Sequence, residues 1–172
     1  ERQVKSDDEI KAFIPEWPDI DVSRPVVIGL DSGADHPFGA VKIVSTPKGL
    51  VVVDEYLRRM QAVSEQLAPI QIQFGTRQCS NVVWAANKNE ANLRLEFGLK
   101  NIGVVQAENK HEVGIQRTQT GLYSKQLVFA ASRVPKTIEQ MRAYRYAENT
   151  KPDGTKKTKE EVFKMHDELP DA

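Results

Sequence analysis

The sequence predicts one α/β domain on a mixed central sheet, an antiparallel three-strand meander followed by parallel strands, flanked by helices. Three observations predict it. Val26–Asp31, "VVIGLD", is a near-continuous apolar run, as a central strand buried on both faces requires. Two more strand-like stretches follow at once, joined by the tight-turn tetrapeptide "TPKG". Beyond them, short apolar runs alternate with helical spacings, the rhythm of βα units. The 172 residues suffice for one domain with a real core.

The elements run in this order. After the loop "SGADHPFG", residues 40–45 form the second strand, with Val41 and Ile43 on one face and Lys42 and Val44 on the other. Residues 50–56, "LVVVDEY", are β-branched and form the third; Asp54 and Glu55 mark the exposed end of a hairpin. Met60, Val63, Leu67, Ile70 and Phe74 fall at helical spacing, in a helix that Pro69 should kink or end. Residues 81–86, "NVVWAA", are a short strand. Residues 89–97 are ambiguous: Ala91, Leu93, Leu95 and Phe97 alternate like a strand, while the residue types favour a helix capped by Gly98. A strand over 102–107, a helix over 111–122 and a strand over 125–130 come next. Pro135 opens a helix expected through Tyr146, with Ile138, Met141 and Tyr144 inward. Residues 147–158 read as a polar loop, expected to be mobile, and a last helix from about Thr158 carries Val162, Phe163, His166, Asp167, Glu168 and Asp171. Residues 1–23 read as an extension or linker, and both ends look cut, as if the domain were excised from a longer protein.

Composition narrows the function. Lys+Arg 24 balances Asp+Glu 24, which excludes a strongly basic nucleic-acid arm but leaves room for a local basic groove. The single cysteine, Cys79, forms no internal disulfide, which fits a reducing compartment. No apolar run approaches the roughly 18 residues of a membrane span, and no signal peptide is visible. His36, His111 and His166 are not spaced as a zinc site, and neither a Walker loop nor a GxGxxG motif occurs.

Two places put carboxylates where a site can form. Asp31 ends the first strand, where a buried charge is costly unless it is paired or holds a metal. Asp167 and Asp171 lie four apart on one helical face with Glu168 beside them, and such repelling carboxylates are tolerable around a divalent cation. Oxygen donors suit hard cations such as Mg²⁺ and Mn²⁺. The competing readings are a turn or cap role for Asp31 and a solvated surface for the acidic helix.

Taken in order, "VVIGLDSGADHPFGAVKI", "GLVVVDEYLRR", "VVWAANKNEANLRLEFGLKNIGVVQAENKHEVGIQRTQTGL", "QLVFAASRVPKTIEQMRAYRY" and "HDELPDA" resemble the nuclease domain of phage large terminase subunits. The resemblance covers residues 24–172. It implies a ribonuclease-H-like fold and a metal-dependent endonuclease that cuts concatemeric double-stranded viral DNA during packaging. It further implies two Mg²⁺ or Mn²⁺ ions, an ATPase domain on the same polypeptide, the portal and small terminase subunit as partners, and the infected host's cytoplasm as the place of action. Three acidic positions hold the metals in such domains, one on the first strand, one after the fourth and one on the last helix. Asp31 matches the first, and Asp167 with Glu168 matches the third, with Asp171 one turn on. At the second stands Asn87 where an aspartate is expected.

Asn87 offers one carbonyl oxygen without the charge that holds a divalent ion. Three explanations stand: an engineered Asp→Asn change, a substitute carboxylate from Glu90, or a domain that binds metal weakly. The resemblance implies hydrolysis by a metal-activated water with the leaving 3′ oxygen neutralised, so that Asp31, residue 87, Asp167 and Glu168 act as the catalytic set, with Glu90 and Asp171 as further ligands. Cutting without sequence preference needs phosphate contacts. The candidates are Arg58, Arg59, Lys88, Lys110, Arg117, Lys156 and Lys157. Two other readings compete. "GLDSG" also resembles the phosphate loop of actin-like kinases and ATPases, although 172 residues cannot hold their second domain. A non-catalytic DNA- or protein-docking module is kept alive by Asn87.

Overall fold

The apolar run that opens the domain is strand β1 (Val26–Asp31), and everything else is arranged around it. In the computed structural model, residues 23–32, 37–59, 62–78, 81–87, 90–107, 111–143, 145–146 and 162–163 are described. β1 lies inside a six-stranded sheet of order β5-β4-β1-β2-β3-β6. β2 (Phe38–Thr46) and β3 (Gly49–Arg58) complete the antiparallel meander. β4 (Val82–Ala86) then pairs parallel with β1, β5 (Val104–Gln106) parallel with β4, and β6 (Leu127–Phe129) parallel with β3. The mixed sheet matches the sequence reading, with the later strands added on both sides of the meander.

Helices α1 (Val63–Gln73), α2 (Ala91–Gly98), α3 (His111–Tyr123) and α4 (Pro135–Ala143) link and cover these strands. One face of the sheet packs Ile28, Leu30, Ala40, Tyr56, Trp84 and Ala86 against Leu67, Ile70, Leu93 and Phe97 of α1 and α2. Trp84 meets Phe97 edge-on at 5.8 Å between ring centroids, so the α2 segment, ambiguous by pattern, is fixed as a helix by what it covers. On the opposite face Val41, Val52 and Val134 are buried with Ile43, Leu57 and Ile138 packed against them.

Several expectations change. Pro69 lies inside α1 and the helix continues to Gln73: the bond to the Glu65 carbonyl is forgone, and burial of Leu67 and Ile70 in the core holds the helix through it. The fourth helix stops at Ala143, and Arg145–Tyr146 forms β7, paired antiparallel with β8 at Val162–Phe163. The helices expected through Tyr146 and across 162–163 are therefore strand at those positions, where β-branched and aromatic residues suit a pleated ladder. The end of the last helix, the loop 147–158 and residues 1–22 lie outside the described residues.

Asp54 and Glu55 do not end an exposed hairpin. Both are buried, at 3% and 8% exposure, in the middle of a β3 that continues to Arg58. The register between β2 and β3 shifts here: Lys42 pairs with Asp54 and Ile43 with Val52, which leaves Val53 as an inserted residue. Lys42 is itself buried and donates from Nζ to the Phe74 carbonyl at 2.9 Å.

Candidate active site

The C-terminal ends of β1 and β4 lie side by side at one end of the sheet. Asp31, the last residue of β1, pairs with Gly39 of β2, and the neighbouring Leu30 pairs with Ala86 of β4. The next residue on the chain after β4 is Asn87. Successive side chains of a strand alternate between faces. Leu30 and Ala86 are buried beneath α1 and α2, so strand alternation puts Asp31 on the other face, while Asn87 follows Ala86 at the exit of the neighbouring strand. Gly39, opposite Asp31, adds no side chain to crowd that face. The fold thus sets Asp31 and Asn87 at the ends of adjacent strands, and both are half-buried.

The turn leaving β4 is tightly bonded. The Asn87 carbonyl accepts from the Glu90 amide at 3.1 Å and from Arg94 Nη1 at 3.0 Å. Glu90 is the residue before α2, yet its side chain makes no capping bond to its own helix. Its carboxylate accepts instead from the hydroxyl of Ser32, the residue after Asp31. Ser32 and Arg94 escape a reading of the sequence alone, although the Glu90–Arg94 spacing of one helical turn is visible in it.

Of the basic candidates, Arg58 ends β3 at this same end of the sheet, paired with Phe38 beside Gly39, and its guanidinium lies 5.7 Å from the centroid of the Tyr56 ring. Burial pushes the Tyr56 phenol above its ordinary 10.0, while the Arg58 charge pulls it down. Its hydroxyl donates to Gln66 at 2.6 Å. Arg59 and Arg117 are exposed. Lys88, Lys110, Lys156, Lys157, Asp167, Glu168 and Asp171 all lie outside the described residues. Among the described residues, no group of three or more His, Cys, Asp or Glu side chains gathers around a possible ion.

A second polar cluster lies deeper, along β3. Arg133 Nη2 meets Asp54 Oδ2 at 2.9 Å, and its Nε donates to the Val53 carbonyl at 2.8 Å. The Glu55 carboxylate receives the Lys136 amide at 3.0 Å, the Thr137 amide at 2.6 Å and the Thr137 hydroxyl at 2.8 Å. These amides are unsatisfied donors of the first turn of α4, so a strand carboxylate anchors that helix end and meets its partial positive charge. Gln73 of α1 donates to the Glu55 carbonyl, tying the helix of the other face to the same point. Every one of these charges is committed within the fold, which marks the cluster as architectural.

No protein-family model matches this sequence, nor does any curated protein sequence. Solved structures do resemble it. The large terminase of a thermophilic bacteriophage, in complex with ATP-γ-S, superposes with a TM-score of 0.76 at 16% identity, covering 87% of this chain and 38% of that one. The g2p large terminase nuclease domain of bacteriophage SPP1, crystallised with bound Mn, gives 0.60 at 13% identity over 98% of this chain and 88% of that one. The P22 large terminase nuclease domain gives 0.65 at 14% identity, over 86% and 77%. The chain thus spans less than half of the thermophilic phage protein and most of the two isolated domains. No helix among the described residues is long and apolar enough to cross a membrane. With its mixed six-stranded sheet, the chain has the ribonuclease-H-like fold of large terminase nuclease domains.

Proposed function

We propose that this chain is a divalent-metal-dependent endonuclease domain that hydrolyses double-stranded DNA for a viral packaging motor. The observation that carries the reading is the position of Asp31 and Asn87 at the adjacent ends of β1 and β4, in a fold shared with a nuclease domain that was crystallised with Mn. The donor types fit: a carboxylate and an amide carbonyl are hard oxygen ligands. Asp167, Glu168 and Asp171 are the acids expected to complete the set. A divalent cation held by these oxygens supplies the positive charge that favours a hydroxide-like attacking water and offsets charge on the leaving 3′ oxygen.

The chain's own residues do the rest. Asp31 fixes the site at the sheet end, and Arg58 and Arg59 flank it as phosphate contacts that hold the duplex without reading bases. Lys88, Lys110, Arg117, Lys156 and Lys157 extend that basic set. An ATPase domain, the portal and the small terminase subunit are the partners this reading entails, with the host cytoplasm as its setting.

The test is plasmid nicking by the chain with Mn²⁺, with Mg²⁺ and with EDTA, alongside Asn87→Asp and Asp31→Asn. Cutting that needs metal, is raised about tenfold or more by Asn87→Asp and is abolished by Asp31→Asn supports the reading. Absence of cutting by both the chain and Asn87→Asp overturns it, in favour of a DNA- or protein-docking module, which the missing charge at position 87 would suit.

A further inference from the structure

We infer that Glu90 is a positioning residue rather than a metal ligand, and that Ser32, Glu90 and Arg94 form a clamp holding residue 87 beside Asp31. This rests on the nuclease reading and assigns three roles within its site.

The argument starts from faces. Asp31 projects from one side of the sheet by strand alternation, whereas α2 packs Leu93 and Phe97 into the core of the other side. Glu90 is the residue from which α2 departs, and the side chain that reaches its carboxylate is Ser32, one position past Asp31 and so at the α2 side of the strand end. One carboxylate oxygen is occupied by that hydroxyl. An acid placed to replace the charge missing at 87 would turn toward Asp31; this one is turned to the serine that follows Asp31.

The bonding of the turn gives the clamp its purpose. The Glu90 amide and Arg94 Nη1 both bond the Asn87 carbonyl, at 3.1 and 3.0 Å, and the Arg94 amide bonds the Glu90 carbonyl at 3.1 Å. Main-chain rotation at 87 is thereby restrained from the α2 side, while the Ser32–Glu90 bond ties α2 to the exit of β1. The ladder fixes β1 and β4 as far as Leu30 and Ala86, and beyond it this cross-link holds the chain leaving β4 against the chain leaving β1. Groups that orient ligands in this way typically change metal affinity by about 10–100-fold when removed.

The chemistry offers a clean discrimination, because glutamine keeps an acceptor for the Ser32 hydroxyl while losing the charge a cation requires. The experiment measures Mn²⁺ affinity by calorimetry in the Asn87→Asp background, together with thermal unfolding of the metal-free proteins. The expected result is that Glu90→Gln weakens Mn²⁺ binding by no more than about threefold, while Glu90→Ala, Ser32→Ala and Arg94→Met each weaken it by about tenfold or more. Ser32→Thr, which keeps the hydroxyl, should restore the affinity lost in Ser32→Ala. A Glu90→Gln loss as large as that of Asp31→Asn overturns the inference and makes Glu90 a ligand. If none of these proteins binds Mn²⁺, the nuclease reading fails by itself, and the clamp is judged on the metal-free proteins. There, strongly non-additive melting shifts for Ser32→Ala and Glu90→Ala uphold it, and additive shifts overturn it.

Discussion

Arg133 stands beside a carboxylate that water scarcely reaches: the side chain of Asp54 is 4% exposed and that of Arg133 is 18% exposed. Losing one hydrogen bond to a buried charged group costs about 1.5–3 kcal/mol. Arg133→Met, similar in length but neutral, should lower stability by about 2 kcal/mol in chemical denaturation, because Asp54 keeps the Glu55 amide at 2.9 Å and the Gln73 side chain at 3.4 Å. The same pair shows why some residues are legible in the sequence and others are not. Asp31 can be read because its signal is local, an apolar run ending in an acid. Asp54 and Glu55 cannot, because Arg133 and Thr137, which bond their carboxylates, lie 79 and 82 residues further on. Without those partners in view, two adjacent acids look like surface. Asn87 draws notice only through resemblance, whereas Ser32 has no pattern of its own and becomes visible only when Glu90 folds onto it.

Among the elements, the β2–β3 hairpin depends on one residue. Gly49 has φ of +140°, and a Cβ there would come within 2.3 Å of the Gln126 carbonyl oxygen and 2.7 Å of its Cα. Both are backbone atoms leading into β6, held by the Leu50 amide on the Gln126 carbonyl at 2.7 Å. They cannot move aside as a side-chain tip can. Gly49→Ala should destabilise the domain by about 2–3 kcal/mol, with lost amide protection at Leu50 and along β6 in hydrogen exchange. Turn chemistry of this kind is evident in "TPKG", where the Thr46 hydroxyl bonds the Gly49 carbonyl at 2.9 Å. The short strands β7 and β8 are not evident, since two-residue ladders carry too little periodicity to separate from the ends of helices. The α2 segment falls between, its pattern undecided until Trp84 and Phe97 meet.

At the scale of the molecule, the order β5-β4-β1-β2-β3-β6 puts the first strand in the sheet's interior, as its unbroken apolar run required. The side on which each later strand joins is not legible, because it is set by long-range pairing such as Val27 with Val83. On the nuclease reading, three arginines, Arg58, Arg59 and Arg117, supply phosphate contacts from the described part of the chain. Three contacts predict that a fourfold rise in salt weakens duplex binding by roughly fortyfold, equally for unrelated sequences, as fluorescence anisotropy would measure. Arg133 has one more effect at this scale. β6 is only three residues long, and beyond it the carbonyls of Val53 and Glu55 are occupied by side chains of Arg133 and Gln73. A passing strand from another molecule finds those acceptors already taken. The side chain that pairs with Asp54 thus also occupies a main-chain acceptor of β3 that a strand from another copy of the chain could otherwise bond.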